Sequence, residues 1–402
     1  MKIITFGCRL NIFESAAIEK LVGSDLPNVI LFNTCAVTGE AERQLRQAIR
    51  KAKRENPNDR IYVAGCAAQL HPELYASMPE VDRVLGNREK LSKMALLGVE
   101  KNLVAPMNTV QKEELIDVPV ISDFSGKTKA FLQIQQGCDH ACTFCVVHHI
   151  RGKNTGLHPD TVIHQAKTFV QNGYRELILT GVDLAAYPYG FCALVRRLLS
   201  EVVGLERLRF GSLDPAVLSD EFIALMASDK RLMPHLHLSI QAGDDLILKR
   251  MGRRHTKHDV LMITDKLRHV CPDVVFGADF IAGFPTETDK QFDETMDLVK
   301  RANITHLHVF PYSERDGTPA AKMPQVPVPV RKERAKKLRD LGDIQMKELL
   351  DKTVGKTISV LVEQPLEGTS ENYLKVRFET PQAVGQIIDV VITKRENDGL
   401  VG

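Results

Sequence analysis

The sequence predicts an α/β fold in three parts: an N-terminal parallel-sheet α/β domain over residues 1–110, a central partial (β/α)6 barrel over 125–348, and a small all-β domain over 350–402. Three observations predict it. Between residues 1 and 105, short apolar runs alternate with segments of helical period, and strands separated by helices pair in parallel. The alternation resumes from about 130 to 345 with six strand-like runs, which suits an open or partial barrel. From 350 onward, short β-type runs follow one another between turns and no helical period survives.

The first strands are "KIITFG" (2–7), "NVILFN" (28–33) and "RIYVAG" (60–65), each ending at a turn residue. Helical stretches lie near 12–22 and 39–56. In the second, Ala41, Leu45, Ala48 and Ala52 share one face and are expected on the sheet. Arg43, Arg46, Arg50, Lys51, Lys53 and Arg54 then point outward. Residues 106–128, with Pro106 and Pro119, read as a linker. The barrel strands are 130–136, 176–181, 207–212, 235–240, 274–283 and 305–311, with helices such as 159–172, 217–228, 257–269 and 288–302 between them. "TISVLVEQ", "YLKVRFE" and "IIDVVITK" are the runs of the last domain, broken around Gly368 and Pro381.

The chain has 402 residues, 44% hydrophobic and 26% charged, an ordinary globular composition. No apolar run approaches the ~18 residues of a membrane span. "MKIITFGCRL" reads as a strand, not a signal peptide, so the expected location is the cytoplasm. There, eight cysteines are metal ligands, catalytic groups or buried thiols sooner than disulfides. Net charge is +2, but basic residues cluster in "RQLRQAIRKAKR" (43–54) and "RKERAKKLR" (331–339). Such clusters serve either a polyanion or a solvated helix face.

Cys138, Cys142 and Cys145 stand at the spacing C-x3-C-x2-C, directly after the first barrel strand. In a barrel that loop belongs to the reactive face. Three readings compete. A disulfide uses two thiols and conflicts with a reducing compartment. Structural zinc takes four ligands, for which His140, His148 or His149 is a candidate. An iron–sulfur cluster on three cysteines keeps one iron open for a non-protein ligand. Cys8, Cys35 and Cys66 are distant in sequence, but each follows a strand. Neighbouring parallel strands would bring the three to one sheet edge, where α/β sheets place ligands.

The C-x3-C-x2-C loop resembles that of the radical S-adenosylmethionine (SAM) enzymes. In that superfamily the open iron of a 4Fe–4S cluster chelates SAM, whose reductive cleavage gives a 5′-deoxyadenosyl radical. Thr180 and Gly181 match its glycine-containing motif near the SAM amino group, and "FIAGFPTET" (280–288), with Gly283, its region bordering the adenine. With the second trio and the stretches "LTGVDLAAY", "HLHLSIQAGDDLILKRMGRRHT" and "HVFPYSERDGTPAA", the whole chain resembles a methylthiotransferase ending in a TRAM-type β domain. The resemblance implies two 4Fe–4S clusters, one on Cys8, Cys35 and Cys66 and one on Cys138, Cys142 and Cys145. It implies SAM contacts at Phe144, Thr180, Gly181, Gln241, Arg254 and Gly283. Cys192 and Cys271 match no motif of the family and read as ordinary thiols.

Family members differ in target: N6-threonylcarbamoyladenosine in tRNA, N6-isopentenyladenosine in tRNA, or a ribosomal-protein aspartate. "FNTCAVTGEAERQLRQAIRK" resembles the threonylcarbamoyladenosine branch. The implied partners are SAM, the tRNA anticodon loop and an electron donor, with no membrane, for a chain expected as a monomer. A rival of another class is a non-catalytic RNA-binding protein stapled by two zinc sites. Two features depart from the family. "CVVHHIRGKNTG" carries His148 where the family has proline, although Arg151 and Gly152 remain. Residues 351–402 hold six Lys plus Arg against eight Asp plus Glu, acidic for a domain expected to hold RNA.

Overall fold

The computed structural model describes residues 1–36, 39–107 and 118–402, the side chains of residues 40 and 41 excepted. Strands β1 (Lys2–Thr5), β2 (Val29–Thr34), β3 (Arg60–Gly65), β4 (Arg83–Leu85) and β5 (Asn102–Leu103) form one parallel sheet in chain order. β2 is buried along its whole length and β3 along all but its first residue. Covered on both faces, they read as continuous apolar runs. Helices α1 (Arg9–Val22), α2 (Gly39–Glu55), α3 (Cys66–Leu70), α4 (Pro72–Ala76) and α5 (Lys93–Leu97) make the crossovers. α2 buries Leu45, Ile49 and Ala52 and half-buries Ala48, so Ile49 joins the stripe read from sequence. The Ala41 side chain lies outside the described residues. Arg43, Arg50, Lys51 and Arg54 are exposed along the other face.

The barrel is two parallel sheets. β6 (Lys129–Gln133) is followed by a short antiparallel pair, β7 (Gln135–Gln136) and β8 (Thr155–Gly156), with α6 (Val147–Arg151) between them. β9 (Glu176–Thr180) and β10 (Arg207–Phe210) complete the first sheet, ordered β10-β9-β6. The second runs β11 (Ser212–Leu213), β12 (His235–Gln241), β13 (Val275–Ala282) and β14 (Ile304–Pro311). The run expected as one strand over 207–212 divides at Gly211, where a Cβ would stand 3.1 Å from both Leu179 O and Leu184 Cδ1. A side chain there would crowd the Leu179 carbonyl and the Leu184 side chain, and the chain passes from one sheet to the other. Helices α7 (Pro159–Gln171), α8 (Phe191–Glu201), α9 (Asp220–Ser228), α10 (Asp245–Met251), α11 (Lys257–Val270) and α12 (Asp289–Arg301) lie between the strands.

Both outer strands of the barrel are covered. Phe13 of α1 packs in one core with Phe124, Phe131 and Phe169, beside β6. α13 (Val328–Thr353) covers β14: Leu338 and Leu341 join the core, and the missing side chain of Gly342 admits Leu307, which a Cβ would approach to 3.2 Å. Unpaired edges invite association, so these two helices seal what the partial barrel leaves open. Of the stretch expected as a linker, residues 108–117 lie outside the described residues. Residues 118–127 are irregular but anchored: the Gln165 side chain bonds both the N–H (2.8 Å) and the C=O (2.6 Å) of Ile121, and the Phe124 N–H donates to Tyr174 Oη at 2.7 Å.

Two cations of the 331–339 cluster turn inward. Arg331 and Arg334 are buried, Arg331 donating to the Val326 and Tyr312 carbonyls and Arg334 to the Glu287 carboxylate at 2.7 Å. Neither a polyanion nor a solvated face describes them; Lys332, Lys336, Lys337 and Arg339 keep the exposed side. α13 continues to Thr353, past residue 350 where the sequence suggests no helical period, because Leu350 still packs into the C-terminal core. That core lies on the sheet β18-β15-β16-β17-β20-β19, made of β15 (Thr357–Gln364), β16 (Glu367–Ser370), β17 (Lys375–Arg377), β18 (Ile387–Val391), β19 (Lys394–Glu396) and β20 (Gly399–Val401).

The C-terminal sheet docks where the barrel strands begin. Arg207 donates to Ser359 Oγ (2.8 Å), and Arg209 to the carbonyls of Glu371 (2.8 Å) and Ser370 (2.7 Å). Glu176 lies fully buried between the two arginines, 2.8 Å from Arg209 Nε and 3.4 Å from Arg207 Nη1. Tyr373 stacks on His235 with ring centroids 4.8 Å apart. Glu176, Arg207 and His235 each open their strand, so this domain caps the end of the barrel opposite the cysteine loop. Glu176→Ala leaves two arginines uncompensated and is expected to cost about 3–5 kcal/mol. Phe124→Ala, which empties the aromatic cluster beneath α1, is expected to cost about 3–5 kcal/mol. Urea midpoints of the two variants against the parent check both.

Candidate functional site

Each cysteine of the first trio follows a strand of the five-stranded sheet. Cys8 precedes α1, Cys35 follows β2 and Cys66 opens α3. Because β1, β2 and β3 are parallel neighbours, with Thr5 opposite Asn33 and Thr34 opposite Gly65, the three fall on one edge. Gly7, at φ 104°, lets Cys35 come close: a Cβ there would stand 2.6 Å from Cys35 Cβ and 3.0 Å from its Sγ. Cys66 Sγ receives Asn87 Nδ2 at 3.8 Å.

Cys138, Cys142 and Cys145 occupy the loop between β7 and α6. Every sulfur of this trio has a donor facing it. The His140 N–H donates to Cys138 Sγ and the Val147 N–H to Cys145 Sγ, both at 3.4 Å; Arg253 Nη1 stands 3.7 Å from Cys142 Sγ. Burial pushes the Cys138 thiol up to about 12, against the His140 N–H and helped by Asp183 and the other two thiols. Burial likewise pushes Cys145 up to about 11. A metal that binds these thiols displaces their protons. Three soft ligands, each with a donor to moderate its charge, fit an iron–sulfur cluster. At the first trio the Asn87 side chain makes a contact of the same kind with Cys66.

Among the described residues, the groups that bring three metal-ligating atoms within 4.8 Å of one another are Cys138–His140–Asp183 and His237–Asp279–His308. His140 Nε2 is 2.9 Å from both Asp183 Oδ2 and Arg254 Nη2. His148 and His149 instead lie ring to ring, centroids 3.9 Å apart. They border a separate cleft of about 800 Å³ on the other side of the loop.

The two trios meet at a cavity of about 390 Å³. Its lining includes Cys8, Phe144, Cys145, Gln241, Asp279 and Arg315. Gln241 has φ 78° and sits where the β12–β13 pairing shifts register. A left-handed non-glycine residue costs about 1–3 kcal/mol and marks a functional constraint. Asp279 is held well below the usual carboxylate range: burial opposes its charge, but His237 at 3.1 Å and His308 at 3.3 Å overcome it. Arg315 donates to Glu42 Oε1 at 2.7 Å, joining α2 to the barrel behind the cavity.

The six SAM contacts implied by resemblance divide. Phe144 and Gln241 border the cavity, Phe144 meeting Phe284 edge to face at 6.4 Å. Arg254 reaches the Cys138 loop through His140 and also lies 3.6 Å from Asp214. Thr180 is buried, its hydroxyl donating to Ile178 O at 3.2 Å. Gly181 makes room for Gln135, whose Oε1 would be 2.9 Å from a Cβ and which accepts the N–H groups of Val182 and Asp183. At Gly283, φ 71°, the space of the missing Cβ is filled by Arg331, 2.6 Å away at Cγ, and not left open. Asp279, His237, His308 and Arg253 are additional site residues that sequence reasoning missed. A signal existed: "HLHLSI" and "THLHVFP" repeat histidine at period two, which points both histidines of a strand to one face.

Comparison with known proteins agrees with this geometry. Residues 132–299 match the Radical SAM superfamily and residues 1–86 the Uncharacterized protein family UPF0004. Threonylcarbamoyladenosine tRNA methylthiotransferase MtaB of Rickettsia prowazekii is 46% identical over 96% of this chain and 93% of its own length. The MtaB of Bacillus subtilis is 34% identical over 97% of this chain and 93% of its own. The tRNA-2-methylthio-N(6)-dimethylallyladenosine synthase of Jannaschia sp. is 33% identical over 99% and 92%. Among solved structures, the radical S-adenosylmethionine methyltransferase TsrM of Kitasatospora setae shares the fold over 78% of this chain and 69% of its own, with TM-score 0.56 at 14% identity. No described helix is long and apolar enough to cross a membrane. With one cysteine of each three-cysteine group, Cys8 and Cys145, on a shared cavity and full-length relatives of this kind, the chain belongs to the methylthiotransferase family of radical SAM enzymes.

Proposed function

We propose that this chain is a tRNA methylthiotransferase that acts at C2 of N6-threonylcarbamoyladenosine beside the anticodon. The observation that carries the reading is the single cavity onto which Cys8 of one trio and Cys145 of the other both open. A reaction joining sulfur to a radical centre needs both sites within reach of one base. Cys138, Cys142 and Cys145 would hold the 4Fe–4S cluster that binds SAM, and Cys8, Cys35 and Cys66 the second cluster. When bound, these groups supply the radical, the sulfur and the methyl group.

The chain's own part is to bind, orient and enclose. Phe144 and Gln241 wall the cavity, while Arg254 is placed to meet SAM at the rim of the Cys138 loop. Thr180, Gly181 and Gly283 do not border this cavity, and Gln135 and Arg331 fill the space at the two glycines. Asp279, kept ionised by His237 and His308, offers a fixed acceptor for the N–H groups of a base. The base reaches it only when splayed from its stack, as loop bases can be. The exposed face of α2, with Arg50, Lys51 and Arg54, suits the phosphates of an RNA stem. The threonylcarbamoyl target is supported by the 46% identical relative against 33% for the dimethylallyladenosine enzyme. We take residues 1–110, 125–348 and 350–402 as the three domains of a cytoplasmic monomer served by a separate electron donor.

Anaerobic reconstitution is expected to load about eight irons per chain, four per cluster. Replacing either trio by serine should halve that figure and abolish methylthiolation. Zinc in place of iron would overturn the reading in favour of a stapled binding protein. Mass spectrometry of tRNA nucleosides should show 2-methylthio-N6-threonylcarbamoyladenosine; sulfur appearing only on isopentenyladenosine, or only in ribosomal protein, rejects the assigned target. Asp279→Asn, which keeps the shape but removes the charge, is expected to lower turnover on tRNA about 10-fold or more while iron content stays at the parent value.

A further inference from the structure

Behind the first trio lies an ion cluster that the reaction as described does not use. Glu14 of α1, Lys90 beyond β4 and Arg151 at the end of α6 are each at most 3% exposed. Arg151 donates to both Glu14 oxygens, Nη2 to Oε2 at 3.1 Å and Nη1 to Oε1, and Lys90 Nζ donates to Oε2 at 2.7 Å. Two cations therefore share one carboxylate. Such a surplus is costly in a dry interior unless another anion lies near. No second carboxylate joins the cluster among the described residues.

Cys8 and Cys35 are tied to it through Asn11, and Cys66 neighbours it through Asn87 and the backbone before Arg151. Asn11 Oδ1 accepts from Arg151 Nη2 at 2.6 Å, and its Nδ2 donates to Phe6 O (2.7 Å) and Thr34 O (2.9 Å), the backbone just before Cys8 and Cys35. Asn33 Oδ1 accepts from Lys90 at 3.1 Å. Asn87 Nδ2 donates to Ile150 O at 2.6 Å and faces Cys66 Sγ at 3.8 Å. Burial opposes the Arg151 charge, yet Cys66, Glu14 and Cys8 hold it above the ordinary arginine value; Cys66 acts on Lys90 in the same direction, against the burial that lowers it. The surplus lies behind the sheet edge that carries Cys8, Cys35 and Cys66, where the anionic group they would hold balances it. Arg151 also stands six residues after Cys145, so one side chain reaches from the second trio's loop to the first trio's support.

We propose that Arg151, Lys90 and Glu14 form a net-positive positioning cluster that supports Cys8, Cys35 and Cys66, balances the negative charge of the group they hold, and ties that site to the SAM-binding loop. The proposal rests on the two-cluster reading above. A three-thiolate iron–sulfur centre is anionic and becomes more so on reduction, so buried positive charge beside it favours the reduced form. Removing a cation should make reduction harder, and removing the carboxylate should make it easier.

The test uses the full-length chain with Cys138, Cys142 and Cys145 replaced by serine, reconstituted anaerobically so that only the first site holds iron, and followed by redox titration with EPR. Arg151→Gln and Lys90→Met are expected to shift the midpoint negative, Glu14→Gln to shift it positive, and Arg151→Lys to restore most of the parent value. Shifts of one sign in all variants, or none, overturn the proposal, since a merely structural role does not invert with charge. If Arg151→Gln fails to fold by circular dichroism, Lys90→Met and Glu14→Gln carry the sign test. A parent that binds no iron overturns the two-cluster reading and this proposal with it. A parent with about four irons and no inversion overturns this proposal alone.

Discussion

Parallel pairing is the constraint on which the site depends. In a parallel sheet every strand ends on the same edge, so each loop that follows a strand is delivered to one side of the molecule. β1, β2 and β3 deliver Cys8, Cys35 and Cys66 in this way, although up to 58 residues separate them in sequence. β6 delivers the second trio by the same rule, from a different sheet. Cys8, Cys35 and Cys66 could not assemble in an antiparallel arrangement of the same strands, because alternate loops would leave by the opposite edge. What remains is to bring the two edges together, and that falls to contacts between the sheets.

Those contacts combine apolar packing with directed polar bonds. Phe13 of α1 packs among Phe124, Phe131 and Phe169 to hold the first sheet against β6. Nearer the cysteines, Arg315 meets Glu42, and Arg151 meets Glu14 and Asn11. Apolar packing is non-directional and tolerates a sliding fit. A bidentate arginine fixes distance and angle together. Around the cavity the molecule supplies both kinds: Val146 and Ile150 pack in one core with Ala36 and Cys66, while Arg151 and Arg315 fix distance and angle. The opposite end of the barrel is closed by Arg207, Arg209 and Tyr373 against the C-terminal sheet, leaving the reactive end as the approach for a substrate.

Local pattern made most of this legible in the sequence. The strands 28–33 and 60–65 are runs of β-branched and aromatic residues ending at turns, and they form as read with shifts of one residue. The cysteines could be grouped because their positions relative to strands are a local property. Charge was less legible. "RKERAKKLR" looks uniform, yet Arg331 and Arg334 are three apart on the buried face of α13 while their neighbours are solvated. Only the presence of Glu287 and the Tyr312 carbonyl opposite decides this, and those belong to distant segments. Gly283 and Gly181 show the same limit. A glycine announces close approach, but not whether a ligand or a side chain such as Arg331 makes it.

Glu14, Lys90 and Arg151 were invisible for the same reason, and their burial is the more informative for it. A chain gains little stability by enclosing two cations around one carboxylate; apolar residues of like volume would serve the fold as well or better. The arrangement also spends three long side chains on a position that α1 could have filled with leucine. Its geometry points elsewhere, since Asn11, which accepts from Arg151, bonds the backbone at Phe6 and Thr34. Buried charge that is poor value for stability, and aimed at the residues preceding two of three cysteines, is accounted for by the charge those cysteines carry when loaded.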